Sequence, residues 1–478
     1  MDVIGIALSV LSAMLLYASI GVLAPPVFRR ICTQAASLPR PIDTHERVRI
    51  IEGNREALVV RLQMIGAAKK DIVLSTFKWL DGPASDSVTA ALVCAAERGV
   101  RIRIVIDDFG MNKCLKRRTA FRLLASYPNV EVKRYNCASL LLPWRYNYRL
   151  HDKYLIVDGS YYLLGGRNIS DRSLGSAAKH YDIDRDVLVV NEKGMGGSLQ
   201  MLEAYFEEVW SQRVSRSFRP RRVRRRKQTL EACRVLLDAL AHEYPQLEEA
   251  FDPSEGTLET KRVRLLHNSC RPTNKAPQVW NMLHELAREG CDIKIQSPYI
   301  IVDWSMIKPR ANVDGAHRVQ LMTNAPEQGA NPFGCGEYIG HRRAIVRAGV
   351  SVLEWMGGQS MHTKTMLIDG STSVVGSYNL DLRSTYLDTE LMLVIDSTAV
   401  NEQLRDHFEQ MARASRLIQG ACVREPVEDG LLFEQPAVSK HLSSSARLQN
   451  LAQRAKGACK RGFARVTGVV FWPLRYLM

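Results

Sequence analysis

Apolar and polar positions change rhythm several times along the chain. From Val3 to Ala24, "VIGIALSVLSAMLLYASIGVLA" holds 22 residues without a charged side chain. As a helix this stretch would extend about 33 Å, enough to cross a hydrocarbon core. The pattern predicts a membrane anchor within residues 1–30. Asp2 precedes it and Arg29, Arg30 and Arg40 follow it, so the positive-inside tendency puts the body of the protein on the cytoplasmic side. A cleaved signal peptide is the rival reading, but there is no basic leader, the apolar run is long, and "APP" is a poor cleavage context. Residues 31–47 read as a polar, proline-bearing spacer.

Short apolar runs separated by turn residues then alternate with helical periodicity. "KDIVLSTFKWLDG" (Lys70 to Gly82) predicts a buried strand, "SDSVTAALVCAAERGV" a helix opened by a Ser/Asp cap, and "RIRIVIDDFG" a second strand. "NVEVKRYN" and "RDVLVV" add strands, and the helical "SLQMLEAYFEEVWSQRV" closes a unit near residue 215. The same order recurs later: "GCDIKIQSPYIIVD", "HRVQLMTN" and "GVSVLEW" answer the first three strands. The repetition extends to polar residues. "LHDKYLIVDGSYYLLGGRN" and "MHTKTMLIDGSTSVVGSYN" match His151 with His362, Lys153 with Lys364, Asp158 with Asp369, Gly165 with Gly376 and Asn168 with Asn379, every pair 211 residues apart. Core packing constrains apolar periodicity and not residue chemistry, so the fixed offset indicates an internal duplication.

The spacing assigns roles. Residues two apart on a strand share a face, so His151 and Lys153 project together, as do His362 and Lys364. Asp158 lies an odd number of residues from its histidine, in an Asp-Gly pair between apolar runs. That favours a hairpin turn over direct chemistry for Asp158 and Asp369, although both belong to the repeated motif. After the turn, glycine permits close backbone approach, and Asn168, Asn379 and Ser377 offer hydrogen bonds suited to phosphate oxygens. The first half has Gly166 where the second has Ser377. Two imidazoles suffice for double displacement at a phosphodiester, one attacking phosphorus and one protonating the leaving alcohol, with the two lysines offsetting charge. No metal and no cofactor is required.

The paired H-x-K-x-x-x-x-D followed by G-[GS]-x-N resembles the phospholipase D superfamily over roughly residues 45 to 415. "QSPYIIVD", "GGRNISD" and "NLDLRSTYLDTE" resemble bacterial cardiolipin synthases, most closely the C-type enzymes. The resemblance implies an α/β fold of two pseudo-symmetric phospholipase D-like α/β/α halves, with mixed β-sheets flanked by helices, here joined to an N-terminal membrane helix. It also implies a phosphatidyltransferase of the bacterial inner membrane. Such an enzyme transfers a phosphatidyl group to phosphatidylglycerol through a covalent phosphohistidine, with phosphatidylglycerol or phosphatidylethanolamine as donor. Hydrolysis of phospholipid by the same intermediate, and a nuclease of the same superfamily, are the alternatives. His151 is the expected nucleophile by the same resemblance.

Each histidine also needs an acceptor for its second ring nitrogen. Glu390 is the candidate in the second half. Asp186 is its counterpart by pattern, at the cost of about seven extra residues in the first half, and Asp184 is a rival. The remaining charge bears on the partner. The net charge of +15 favours an anionic one. Nine of the fifteen residues from Arg213 to Lys227 are basic, and the stretch from Ala446 to Met478 has seven Lys or Arg, no acid and an apolar, Trp-bearing end. Beside an apolar anchor these predict contact with an anionic phospholipid membrane and no nucleic-acid partner. "ASLLLPWRYNYRL", immediately before His151, reads either as an apolar lip at the membrane or as core. The ten cysteines form no CxxC pair, which argues against a structural zinc site or a disulfide framework. The expected organisation is an anchor (1–30), a linker (31–47), a first half (48–215), a basic linker (216–259), a second half (260–415) and a basic amphipathic tail (416–478).

Overall fold

The computed structural model describes residues 11–21 and 43–426, apart from residues 45, 112–114, 140, 176–179, 192–196, 221–222, 224, 272–275, 304–305, 308–317, 329–330 and 421. Helix α1 (residues 11–21) is the described part of the apolar stretch expected to span a membrane. Among the described residues no helix is long and apolar enough to cross one. The remainder of that stretch, and the basic stretch from Ala446 to Met478, lie outside the described residues.

Strand β1 (Arg47–Ile51), α2 (Asn54–Ala67), β2 (Asp71–Thr76), α3 (Pro83–Glu97), β3 (Arg101–Asp107), α4 (Thr119–Leu124) and β4 (Val130–Tyr135) open the first half. The hairpin of β5 (Tyr154–Val157) and β6 (Tyr161–Gly165) follows, then α5 (Asp171–Leu174), β7 (Asp182–Ile183), β8 (Asp186–Val190), α6 (Ser198–Ser211) and β9 (Ser215–Ser217). Helix α7 (Arg226–Glu243) and β10 (Leu258–Glu259) lead to the second half. There β11 (Arg262–His267), α8 (Gln278–Glu289), β12 (Asp292–Gln296), β13 (Ile300–Ile301), β14 (Arg318–Asn324), α9 (Pro332–Arg347) and β15 (Val350–Trp355) come first. They are followed by β16 (Ser360–Met361), β17 (Thr365–Ile368), β18 (Thr372–Gly376), β19 (Leu380–Asp381), α10 (Leu382–Tyr386), β20 (Leu391–Asp396), α11 (Thr398–Arg413), β21 (Ser415–Gln419) and β22 (Cys422–Arg424).

The duplication is visible in the sheets. One has the order β10-β1-β8-β6-β5-β2-β3-β4-β9 and the other β11-β20-β18-β17-β12-β14-β15-β21-β22. In each, three strands run parallel (β2-β3-β4 and β12-β14-β15) and the hairpin adds antiparallel strands at their side. One apolar core lies between the first sheet and its helices. Another combines residues of both halves: Leu202, Tyr205 and Phe206 of α6 join Leu404, Phe408 and Met411 of α11 with inward residues of both sheets. The halves thus share a core, and burying that apolar surface holds them together.

Three local features differ from the expected ones. Helix α3 is opened by Pro83 after Gly82, and its first free N–H is met from a distance: Asp171 Oδ1 accepts from Ala84 N at 2.8 Å. The stretch expected as a linker over 216–259 carries α7, whose Cys233 and Leu237 pack on the first core. The second sheet continues through β21 and β22 to Arg424, past residue 415, because Val352–Trp355 still offer an open edge to pair with.

Candidate active site

Strands β5 and β17 begin at the residue after each motif lysine, so each half has its histidine and lysine at the same end of the strand. His151, Lys153 and Lys364 are buried and His362 is nearly so. The entry to each histidine is built by the opposite half. Met361 pairs with Ile183 as β16 lies parallel to β7, and His362 N donates to Ile183 O at 2.7 Å. In return, Leu150 bridges to Thr389, and His151 N donates to Thr389 Oγ1 at 3.0 Å.

The acids follow this exchange. Nδ1 of His151 lies 2.9 Å from Glu390 Oε1, and Nδ1 of His362 lies 2.6 Å from Asp184 Oδ2. Sequence pattern paired Asp186 with a histidine, and this is corrected: Asp186 Oδ2 is held by Arg61 at 2.9 Å and Arg167 at 3.3 Å. The sheet register shows why. Gly165 pairs with Asp186 and Gly376 with Met392, so Asp184 is the equivalent of Glu390. The two acids are 206 residues apart, so the first half carries five extra residues and not seven.

Ser377 also changes place. Its hydroxyl is fully buried and donates to Glu390 Oε2 at 2.5 Å, while Ser384 donates to Oε1 at 2.6 Å. In this arrangement it supports the acid. A Cβ at Gly166, the equivalent position, would lie 2.2 Å from Asp184 Oδ1, so the first half has no room for such a donor. Asn168 Oδ1 accepts from Lys78 N at 3.1 Å, which leaves its amide nitrogen as the remaining donor. Asn379 is buried, and its Oδ1 has no partner among the described residues.

Asp158 and Asp369, the acids of the repeated motif, lie at turns. Each follows its strand at the end away from the histidine, at φ 53° and 48°, a left-handed turn geometry tolerated by Asp. Asp158 accepts from the backbone N–H groups of Lys69, Lys70 and Asp71, and Asp369 from those of Cys291 and Asp292.

Burial sets the electrostatics. It lowers both imidazoles, with Lys153 pushing His151 well below its ordinary value and Lys364 lowering His362 less steeply. Lys153 is brought down to about 7 by burial, against the pull of Glu390, and Lys364 is lowered by the same cause. Glu390 is raised to about 8 by burial. Burial would also raise Asp184, but Lys364 and His362 outweigh it and hold that carboxyl below the usual range. Both lysine ammonium groups donate to the backbone carbonyl of the neighbouring histidine, Lys153 to His151 O and Lys364 to His362 O. The arrangement is two imidazoles, two cations and two orienting acids, a set able to accept a phosphodiester and exchange its alcohol. Among the described residues no cluster of His, Cys, Asp or Glu is disposed to hold a metal ion.

A family described as "Cardiolipin synthase, PLD-like domain" matches residues 62–210 and 309–412. The chain belongs to this PLD-like cardiolipin synthase family. It is 27% identical to cardiolipin synthase C of Escherichia coli (strain K12) over 411 residues, covering 75% of this chain and 83% of that one. Against the major cardiolipin synthase ClsA of Bacillus subtilis (strain 168) the identity is 24% over 374 residues, covering 77% and 69%. Among solved structures, the phosphatidylserine synthase of Haemophilus influenzae Rd KW20 superposes with a TM-score of 0.60 at 13% identity, over 91% of this chain and 98% of that one. That likeness concerns the two-halved PLD-like fold.

The structure adds residues around this family's motif that the pattern of the chain did not single out. Phe77 meets the His151 ring edge-on at 5.0 Å, and Tyr299 meets His362 at 6.3 Å. Both follow the first parallel strand of their half, but Phe77 aligns with Pro298 and Tyr299 with Lys78, so the repeat did not carry that signal. Arg149 is buried against Asp107 at 3.2 Å.

Proposed function

We propose that the protein is a cardiolipin synthase that transfers a phosphatidyl group to phosphatidylglycerol through a phosphohistidine. The observation that carries this is the crossed pairing of His151 with Glu390 and His362 with Asp184, together with the family of the chain. Glu390, held by Ser377 and Ser384, accepts from Nδ1–H of His151 and so leaves Nε2 with its lone pair. His151 has the more strongly lowered imidazole and is neutral, as a nucleophile must be.

Nε2 of His151 bonds to phosphorus as the bond from phosphorus to the headgroup oxygen breaks. His362 gives its proton to that oxygen and the headgroup alcohol leaves. Burial and Lys364 lower this imidazole against the pull of the ionised Asp184, and the charge of the bound phosphodiester adds to that pull, so the ring takes up its proton as substrate binds. The acceptor hydroxyl of phosphatidylglycerol then loses its proton to His362, its oxygen bonds to phosphorus, and the bond to His151 breaks. Lys153, Lys364, Asn168 and Asn379 supply the charge and hydrogen bonds for the phosphate oxygens. Phosphatidylethanolamine is a further candidate donor, and an anionic membrane the expected location.

The test is the lipid product in phosphatidylglycerol vesicles with and without phosphatidylethanolamine, resolved by mass spectrometry. Cardiolipin is expected, and His151→Ala or His362→Ala abolishes it. Phosphatidic acid alone would replace transfer by hydrolysis, and cleaved DNA with untouched lipid would overturn the reading. A trapped phosphoenzyme in His362→Ala, absent in His151→Ala, identifies the nucleophile.

A further inference from the structure

The segment before His151 is not core at its tip. Leu141 is 80% exposed, Trp144 39%, and Phe109, which stacks on Tyr146 with ring centroids 5.4 Å apart, 45%. Burial of such groups against water-excluding surroundings is favourable, and leaving three together at a surface is unusual without a partner. Helix α1 lies on the same tip: Tyr17 OH donates to Leu141 O at 2.9 Å, and Gly21 packs against Pro143. Its Leu11, Met14, Leu15, Leu16 and Ile20 are all more than half exposed.

We propose that this surface, formed by Phe109, Leu141, Trp144 and the exposed side chains of α1, docks into the interface of an anionic phospholipid bilayer. Three observations choose that occupant. The first is charge: residues 138–150 contain no acid, the buried Arg149 is paired with Asp107, and the neighbouring Asp108 is covered by Arg134 at 2.8 Å and Lys116 at 3.6 Å, so the acids beside the tip are paired and the half-buried Arg145 lies at its edge. An apolar tip with a cation at its edge fits anionic headgroups over acyl chains. The second is the chain leading into the tip, apolar and uncharged from Val3 to Ala24.

The third is coupling to the site. Arg149 holds the tip from below: its guanidinium lies over the Phe109 ring at 4.3 Å and donates to Arg145 O and Asn136 O. The same residue accepts from Thr389 N through its backbone carbonyl, and its own N donates to Asp388 Oδ1. Asp388 and Thr389 immediately precede Glu390, the acid of His151. A bilayer seated on the tip is therefore linked through one residue, Arg149, to the segment that carries the acid of His151.

The test uses the full chain and vesicles of phosphatidylglycerol with acyl chains brominated near the headgroup. The fluorescence difference between the native protein and Trp144→Phe isolates Trp144. Quenching of that component on vesicles is expected, and its absence on phosphatidylglycerol vesicles that bind the protein overturns the proposal. In a second arm Leu141→Asp/Trp144→Asp is compared with the native protein. Activity on phosphatidylglycerol vesicles is expected to fall at least tenfold, with activity on a short-chain phosphatidylglycerol below its micelle concentration unchanged. Equal loss on both substrates overturns it, as does a native dimer in solution that these substitutions dissociate. This arm rests on the proposed lipid chemistry and the quenching arm does not, so quenching without any turnover would refute the function and leave the docking surface standing.

Discussion

Glu390 Oε1 lies 2.9 Å from Nδ1 of His151, although 239 residues separate them. Asp184 reaches His362 across the opposite division. Each half therefore completes the other's histidine, and the acids are predicted to act on turnover more than on lipid binding. Glu390→Gln and Asp184→Asn are expected to lower kcat on the order of 10²-fold to 10⁴-fold, the scale of a misoriented acid-base group, with KM for vesicle lipid changed little. Steady-state kinetics at fixed lipid surface measures both.

The alkaline side of the pH profile is expected to report Lys153. Burial brings its ammonium to about 7, so kcat/KM falls as the pH rises through 7 to 8 and the phosphate loses a cation. Glu390 bears on stability instead. Its folded value near 8 exceeds the ordinary carboxyl value of 4.5, so its contribution is complete below 4.5 and lost as the pH rises through 8. Glu390→Gln removes this dependence. The Tm of the variant relative to the native protein is expected to rise between pH 5 and pH 9 in scanning calorimetry.

Arg185 ties the segment of Asp184, between β7 and β8, to the second half. Its guanidinium bonds Glu52 at 2.6 Å, Gln296 at 3.1 Å, Thr365 at 2.5 Å and His407 at 2.9 Å. Arg185→Met leaves the Glu52 carboxylate without its nearest cation and is expected to cost about 3–5 kcal/mol in denaturant unfolding. Arg185→Lys recovers only part of it, because a single ammonium cannot span partners on both halves.

Asp158 and Asp369 are predicted to matter for folding. Each holds backbone N–H groups at a turn, so Asp158→Ala or Asp369→Ala is expected to destabilise by about 1.5–3 kcal/mol, the range for hydrogen bonds to a charged group. The folded fraction should keep kcat within about twofold. Asn at either position keeps an acceptor and the positive φ, and recovers most of the loss.

The repeat at 211 residues made the two-halved α/β plan and the His–Lys pairs legible, because side-chain chemistry at fixed spacing has no explanation in core periodicity. The Asp158 and Asp369 turns were legible too, from parity along a strand. The partner of each histidine was not. Acids at positions 184 and 186 differ only by strand register, and register is fixed by pairing with β6, which no local pattern records. The exchange of acids between halves is a tertiary fact with no linear trace. The sequence gives Ser377 a place just after β18 and not the carboxyl that it meets, so its bond to Glu390 had no trace in the pattern. Helix α7 was hidden by the arginines before it, which gave the segment the composition of a linker.

A protein of a single half would have to associate with a copy of itself to complete each histidine, and both completed sites would then be identical. Fusing the halves into one chain removes that constraint. A serine against Glu390 and a bare glycine against Asp184 become compatible within one molecule, and the surroundings of the two histidines are free to diverge.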